Sequence, residues 1–465
     1  MLLGTCCLSL FAVVMDASIM AVALPAMRAD LDATISQLQW TIGAYSVTLS
    51  SLLVLAGSTA DRVGRRLIFQ GGLVVFGAGS LLCSLAPTLQ WLVVARVVQA
   101  IGAAALNPVA LAIITNTFVH RSERVRAIGA WSAVVGVSMA LGPLLGGGLV
   151  DAAGWRAIFL INLPVVLAAL TLTALVIPES RAVRARRLDP VGQGLLLTML
   201  AAGAVTVIEG PNVGWTSPQT VVTITIAIAA SVGLIGYETR RVDPLLELGY
   251  FRRPAFTGAT VLAVATFSAL SGLNFLGSLY LQEVRGLSAL QAGTYTLPLA
   301  VMTLLVAPLS GRLVGSHGPR LPLLIGGAGL TTGPLLLTGL TADTSPGRLL
   351  AAYALFGLGF GAVNPPITAS AVSGMPAAQA GTAAAIVTAG RQLGQALGVA
   401  GIGSVLASGL HGAPASGIDQ AGRVGWWIVS ACGLAVLVVG LVVTGQRRPA
   451  AHLRVALPSR SGSAV

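Results

Sequence analysis

The sequence predicts an all-α polytopic membrane protein. Of its 465 residues, 55% are apolar and only 9% are charged, whereas about 25% of residues are charged in an ordinary soluble domain. Apolar runs of about 20 residues recur from end to end, which is the length that a helix needs to cross a ~30 Å hydrocarbon layer. Because so few charged residues cannot cover a water-soluble surface, we expect most helices to lie in a bilayer.

Breaks at charge clusters and at Pro/Gly turns divide the chain into fourteen candidate spans. Several exceed 25 residues, which indicates tilt or an amphipathic extension. The candidate spans are 3–25, 38–60, 67–87, 89–118, 125–150, 156–177, 188–209, 218–238, 254–282, 289–314, 321–341, 346–372, 380–409 and 424–445.

The charged residues exclude several classes of function. All 27 basic residues are arginine, so the chain lacks the lysine of a phosphate-binding P-loop and of a Schiff base. No basic module with interleaved aromatics indicates a nucleic-acid partner. The four cysteines lie in apolar runs without metal-ligand spacing, so we expect neither a metal nor a cofactor.

Arginine also predicts the orientation. With the N-terminus inside, twenty arginines fall in the predicted inner loops and tail and five in the outer loops, a strong positive-inside bias. Six of the seven tryptophans fall at predicted outer ends, where their amphipathic rings suit the interface. We therefore expect a multi-pass cell-membrane protein with both termini in the cytoplasm.

An internal repeat predicts the domain organisation. Gly57, Gly64 and Arg66 recur at a shift of 254 residues, and both copies lie in predicted inner loops. A parallel repeat of this kind relates two six-helix halves by an axis along the membrane normal. The predicted units are an N-terminal half 1–180, a two-helix insert with flanking cytoplasmic loops 181–249, a C-terminal half 250–446 and a cytoplasmic tail 447–465.

The segment 57–66 resembles the signature loop of the major facilitator superfamily, and the two-helix insert resembles the fourteen-helix drug:proton antiporter branch. Further segments similar to that branch are 15–25, 96–102, 142–147, 159–164 and 391–394, although Ser18, Ala21 and Ala100 replace its usual Thr, Asn and Gly. The resemblance implies a major facilitator fold of fourteen transmembrane helices. It also implies multidrug efflux across a bacterial inner membrane, with amphipathic drug-like or antibiotic compounds leaving in exchange for protons, and hence antibiotic resistance.

Asp16 and Arg96 are the predicted proton-coupling pair. A carboxylate deep within a span is expensive and faces a bundle interior or a wet cavity. A buried carboxyl group can gain and lose a proton near neutral pH, because burial disfavours its charged form. Counting 1.5 Å per residue places both side chains at similar depths. A constant structural ion pair is the alternative for Asp16, and a packing role is the alternative for Arg96.

The resemblance implies that the loop between spans 2 and 3 is a cytoplasmic gate. Gly57 and Gly64 permit close backbone approach, and Asp61 can cap a helix N-terminus of the opposite half. A solvated positive loop is the alternative and accounts for the arginines alone. The gate residues are Gly57, Asp61, Arg62, Gly64, Arg65 and Arg66.

The antiporter motif comprises Gly142, Pro143, Gly146 and Gly147. Its small residues let helices pack closely and its proline bends the span; the resemblance implies a seal against substrate leak, and generic packing is the alternative.

Five further polar residues are candidates for lining a cavity. For Arg391 two roles stay open, which are binding an anionic group and satisfying backbone carbonyls. The candidates are Gln99, Asn107, Asn274, Asn364 and Arg391.

The expected partners are a small amphipathic substrate, protons and the lipid bilayer, and we expect a monomer. Alternative functions are dedicated export of one natural product or metabolite, uptake by symport, and a non-transporting sensor. An enzyme would need several reactive side chains at one depth, but the four histidines all lie in predicted loops or the tail.

Overall fold

The structure is a computed structural model, and it describes residues 1–118, 120–182, 189–241, 244, 247–373, 375, 377–410 and 416–445. The predicted tail 447–465 lies outside the described residues. Within those ranges the regular structure is entirely helical, as the composition predicts.

The first seven helices form the N-terminal bundle. Thr34 begins the second helix with a capping box that includes Gln37, and Thr88 caps the fourth, which supplies acceptors for N–H groups that the first turn leaves free. The helices are α1 (Leu2–Leu31), α2 (Ile35–Val63), α3 (Arg65–Ser84), α4 (Leu89–Thr117), α5 (Arg121–Ala153), α6 (Ala157–Leu160) and α7 (Asn162–Val176).

A helical hairpin follows, formed by α8 (Pro190–Val213) and α9 (Pro218–Glu238). Each helix begins with proline after a capping side chain, Asp189 or Ser217, because proline lacks the N–H that has no partner in a first turn. These two helices lie within the range 181–249 of the predicted insert.

The remaining helices form the C-terminal bundle. A 3₁₀ turn, Leu248–Arg252, precedes it, and a π-helical turn, Tyr280–Val284, ends its first helix. The helices are α10 (Pro254–Leu279), α11 (Ala289–Tyr295), α12 (Leu297–His317), α13 (Arg320–Leu335), α14 (Pro346–Val372), α15 (Ala377–Leu410) and α16 (Ser416–Gly445).

The predicted count of fourteen spans is not confirmed. In the described part of the chain, twelve helical segments are long and apolar enough to cross a membrane. α13 is not among them, since it has only 16 residues, which is about 24 Å of helix. It ends at Leu335, whereas the predicted span runs to residue 341. α15 is also not among the twelve, and it is rich in alanine and glycine and carries Arg391, Gln392 and Gln395.

Each bundle packs chiefly on itself, and the hairpin bridges the two. α8 contacts both α2 and α15, whereas α9 packs on α8. A cluster that includes Val47 of α2, Leu200 of α8 and Ala396 of α15 holds this junction together. Exposed apolar side chains such as Val222, Ile228 and Val232 leave most of α9 suited to lipid.

We refer to the end that carries the turns at 32–34, 154–156 and 285–288 as the predicted outer end, and to the opposite end as the predicted inner end. At the predicted outer end, Trp91, Trp215 and Trp427 are exposed, as a role at the membrane interface requires. Trp155 and Trp426 are buried. The indole of Trp155 donates to Asp30, so this tryptophan packs between helices instead of facing the bilayer.

Candidate transport site

Asp16 and Arg96 lie against each other inside the N-terminal bundle. Arg96 Nη1 is 2.6 Å from Asp16 Oδ2, and the two residues are only 1% and 3% exposed. The carboxylate therefore faces the bundle interior and not lipid. The two side chains form a buried ion pair, so they lie at similar depths in the bundle.

Three neutral side chains complete the network around the pair. Gln99 Nε2 donates to Asp16 Oδ1 at 2.8 Å, and Asn162 Nδ2 donates to the same oxygen at 3.0 Å. Ser80 accepts from both amides. The Gln99 carbonyl in turn accepts from Arg96 at 2.6 Å, so both charges are hydrogen-bonded as well as paired, as burial requires.

The second helix holds the guanidinium from the other side. Arg96 Nε donates to the carbonyl of Thr41 at 3.1 Å, and the guanidinium carbon lies 4.1 Å from the centre of the Tyr45 ring. Such a cation–π contact strengthens when water is excluded. α1, α2, α3, α4 and α7 thus all contribute to one site.

Close packing of α3 on α4 fixes the position of Gln99. A Cβ added at Gly79 would lie 2.5 Å from the Gln99 Cα, and one added at Gly102 would clash with Phe76 backbone. Neither position accepts a side chain without movement of a helix, because the obstructing atoms are backbone. Asn162 and Ser80 were not predicted as site residues, because the segment 159–164 indicated only the family.

At the predicted inner end, Asp61 forms no side-chain hydrogen bond or ion pair with the described residues of the C-terminal bundle. Its Oδ1 accepts from Arg65 Nε and Nη2 at 3.0 and 2.8 Å, one turn along the chain. The predicted cap of an opposite-half helix is therefore absent from the described residues in this conformation. Glu179 caps the N-terminus of α3 instead, accepting from the backbone N–H groups of Arg66 and Leu67.

The other gate residues differ in their surroundings. Gly64 adopts φ 140°, and a Cβ there would lie 2.7 Å from the Glu179 carboxylate. A Cβ at Gly57 would not be obstructed, since its nearest neighbour would be the Pro108 Cβ at an ordinary contact distance of 3.6 Å. Arg66 donates to the Ala174 carbonyl, and Arg62 is exposed.

The antiporter motif packs α5 against both bundles. A Cβ at Gly142 would collide with Ser18, and one at Gly146 would lie 2.7 Å from Ile19, both on α1. Gly147 meets the backbone of Ala289 and Leu290 on α11, and the Pro143 carbonyl lies against Gly293 there. The motif is thus a contact between bundles near the predicted outer end, and α5 continues through its proline.

Further contacts, by side chains that were not predicted as site residues, connect the two bundles at the same end. Asp151, in the last turn of α5, accepts from the Ser288 hydroxyl at 2.7 Å and from the N–H groups of Ala289 and Leu290. Arg28 and Glu283 form an ion pair at 2.7 Å between α1 and the π-helical turn. The sequence places these charged residues near predicted outer ends, but that position alone does not predict which residues they contact.

The three candidate asparagines are dispersed. Asn274 lines a small cavity between the bundles together with Ser18 and Pro143. The Asn107 amide oxygen is buried without a hydrogen-bond partner in the described structure. Asn364 is half-buried, and its backbone carbonyl accepts from Thr368. Gln99 belongs to the Asp16 network and does not line a separate surface.

Arg391 is the second arginine within a helix of the bundle core. Its Nη2 donates to the Thr368 hydroxyl at 2.7 Å, and its guanidinium carbon lies 5.5 Å from the centre of the Phe267 ring. Among the described residues it has neither a carboxylate partner nor a carbonyl acceptor. The predicted role of satisfying backbone carbonyls is therefore not what these contacts show.

A family model described as the Major Facilitator Superfamily matches residues 6–399. The chain belongs to the major facilitator superfamily. This match confirms the predicted superfamily and a transporter embedded in the membrane through many apolar helices.

Curated relatives agree with the family match. The chain is 38% identical to the multidrug resistance protein Stp of Mycobacterium tuberculosis, over 87% of this chain and 75% of that protein. It is 36% identical to the methylenomycin A resistance protein of Streptomyces coelicolor, over 85% and 83%. It is also 36% identical to the tetracenomycin C resistance and export protein of Streptomyces glaucescens, over 85% and 74%.

The fold matches that of a solved transporter. A crystal structure of a bacterial homologue of the human lysosomal transporter Spinster superposes with a TM-score of 0.71 at 18% identity, over 97% of this chain and 98% of the other. At this identity the match establishes the major facilitator fold alone.

Proposed function

We propose that this protein is a proton-coupled antiporter that exports amphipathic drug-like or antibiotic compounds across the bacterial cytoplasmic membrane. The observation that carries the proton coupling is the Asp16–Arg96 pair, a titratable group sealed inside the transport fold. The names of the relatives support drug efflux. We propose that the protein is a transporter and not an enzyme.

In the proposed cycle, Asp16 alternates between two partners. In the described conformation its carboxylate pairs with Arg96. When the bundles move, Arg96 withdraws and a proton replaces it on Asp16, because an isolated buried carboxylate is costly. Returning to the pair releases that proton, so each passage couples one proton to the rocking of the bundles.

The proposal includes the predicted topology. The units 1–180, 181–249 and 250–446 act as two six-helix halves joined by a two-helix insert, giving fourteen helices with both termini in the cytoplasm. The loop around Asp61 is proposed to contact the opposite half in the alternate conformation. The contacts of Gly147 and Asp151 with α11 are proposed to hold the outer end shut while the inner end loads substrate.

The test is transport driven by a pH gradient in everted membrane vesicles. The wild type is expected to accumulate a fluorescent amphipathic dye until an uncoupler is added. Asp16→Asn should lose at least nine-tenths of that accumulation, because the amide cannot exchange a proton. Asp30→Asn is the matched control, since Asp30 lies on the same helix in an exposed ion pair with Arg156. Equal accumulation by Asp16→Asn and the wild type would remove Asp16 from the mechanism.

A second candidate is export of one endogenous natural product. The relatives named for methylenomycin A and for tetracenomycin C export favour it. A panel of unrelated dyes and antibiotics separates the two functions, because a dedicated exporter protects cells against one chemical class only.

A further inference from the structure

Arg391 is a cation within the core of the C-terminal bundle, and among the described residues it has no anionic partner. Charged side chains at membrane depth pair with one another or with backbone carbonyls, or they face a wet path. Arg391 makes one side-chain hydrogen bond, to a neutral hydroxyl, and its Nε is buried without an acceptor among the described residues. Within the described part of the chain, the positive charge is therefore uncompensated.

The surroundings of Arg391 hold it in place without neutralising it. One turn along α15, Gly394 presses on α10, where a Cβ would lie 3.0 Å from the Val264 Cα. The Ser268 hydroxyl donates to the Gly394 carbonyl at 2.9 Å. These contacts lock α15 onto α10, so the base of the arginine side chain is rigidly positioned.

The guanidinium lies beside an aromatic ring and is hydrogen-bonded to a residue at an exposed position. Arg391 and Phe267 are half-buried, and Thr368 is exposed. Phe267 is supported edge-on by the buried Phe360, with centroids 5.3 Å apart. A cation whose donors lack an anionic acceptor among the described residues, next to an apolar ring, matches a compound that carries a carboxylate on an aromatic body.

We propose that Arg391 binds the anionic group of the transported compound, with Phe267 against its aromatic part. This inference rests on the proposed function and adds a substrate class, aromatic anions. The guanidinium donors Nε and Nη of Arg391 bind the carboxylate oxygens, and Thr368 orients the fork. The Asp16 network in the other bundle already neutralises its own arginine, which leaves Arg391 for the substrate.

Binding of a matched pair of probes to the purified protein tests this role. The probes are N-dansyl-phenylalanine and its uncharged methyl ester, and dansyl fluorescence reports binding at neutral pH. The wild type is expected to bind the acid at least tenfold more tightly than the ester. Arg391→Gln should remove that preference and leave ester binding within twofold, whereas Arg391→Lys should keep part of it because it retains charge without the planar fork.

Arg312→Gln is the control for net charge, since Arg312 is exposed at the predicted inner end; it should bind both probes as the wild type does. Equal binding of acid and ester by the wild type, or an unchanged preference in Arg391→Gln, overturns the inference. Retained ester binding shows that the variant is folded. Proton-driven transport of the ester by the wild type is measured separately. If the wild type does not transport the ester, the proposed antiport is contradicted, whereas the role of Arg391 is not.

Discussion

The two bundles each carry one arginine in their core, and the two side chains have opposite surroundings. Arg96 is fully buried and touches a carboxylate, two neutral hydrogen-bond acceptors and an aromatic ring. Arg391 is half-buried and has a hydroxyl and an aromatic ring, but no carboxylate among the described residues. The same residue type therefore has different surroundings in the two bundles: one charge is balanced internally, and the other is the charge proposed to bind an external anion.

The difference in pairing predicts a large difference in stability. Arg96→Gln should destabilise the protein by about 3–5 kcal/mol, because it leaves Asp16 as an unpaired buried charge. Arg391→Gln removes a charge without orphaning another, so its effect should be well below that. Thermal unfolding of the protein in detergent measures both.

The double variant Asp16→Asn with Arg96→Gln is the control for this comparison. It removes both charges and should recover most of the stability while transport stays uncoupled. If Arg391→Gln were as destabilising as Arg96→Gln, Arg391 would have an internal partner and the contrast would be broken.

A second prediction sharpens the role of the neutral shell around the N-terminal pair. Asn162→Leu removes a donor to the Asp16 carboxylate and should cost about 1.5–3 kcal/mol, the range for hydrogen bonds to charged groups. Proton-driven dye accumulation should fall by severalfold. Asn364→Leu is the comparison in the C-terminal bundle, because that side chain makes no hydrogen bond in the described structure, and it should change stability far less. Equal effects would show that Asn162 only fills space.

A third prediction concerns the surface where the two bundles meet. Gly147→Leu should separate α5 from α11, because even its Cβ would lie 2.5 Å from the Ala289 carbonyl oxygen. Cysteine labelling reports the opening: a cysteine at Ser278, which lines the cavity beside Pro143, should react severalfold faster with an impermeant maleimide added from outside. The neighbouring Gly148→Leu is the control, since its Cβ would meet only a leucine methyl at 4.0 Å. Identical labelling in both variants would contradict the proposed outer seal.

The sequence predicted much of the fold because its signals are local. Apolar length and charge clusters placed 218–238 and 346–372 at the bounds observed for α9 and α14. The bounds of α13 depend on where the chain turns after Leu335, a tertiary feature without an apolar signal. The count of fourteen spans was therefore the part of the fold that sequence could not establish.

The candidate site was predictable only where depth alone decides the contact. Asp16 and Arg96 could be matched by counting helical rise, since each is a rare charge within its span. Asn162 and Glu179 could not be selected, because their roles depend on the rotation of α7 and on the path of the chain after it. The partner of Asp61 was not predicted, because its carboxylate pairs with the nearby Arg65 in this conformation.

The most direct test of the central claim is proton movement driven by substrate in sealed proteoliposomes that contain a pH dye. Adding the dansyl methyl ester outside wild-type vesicles should make the interior more alkaline, because protons leave as the ester enters. Asp16→Asn should still exchange ester across the membrane and move no protons with it, while Asp30→Asn behaves as the wild type. Proton efflux from Asp16→Asn vesicles at the wild-type rate would contradict the account.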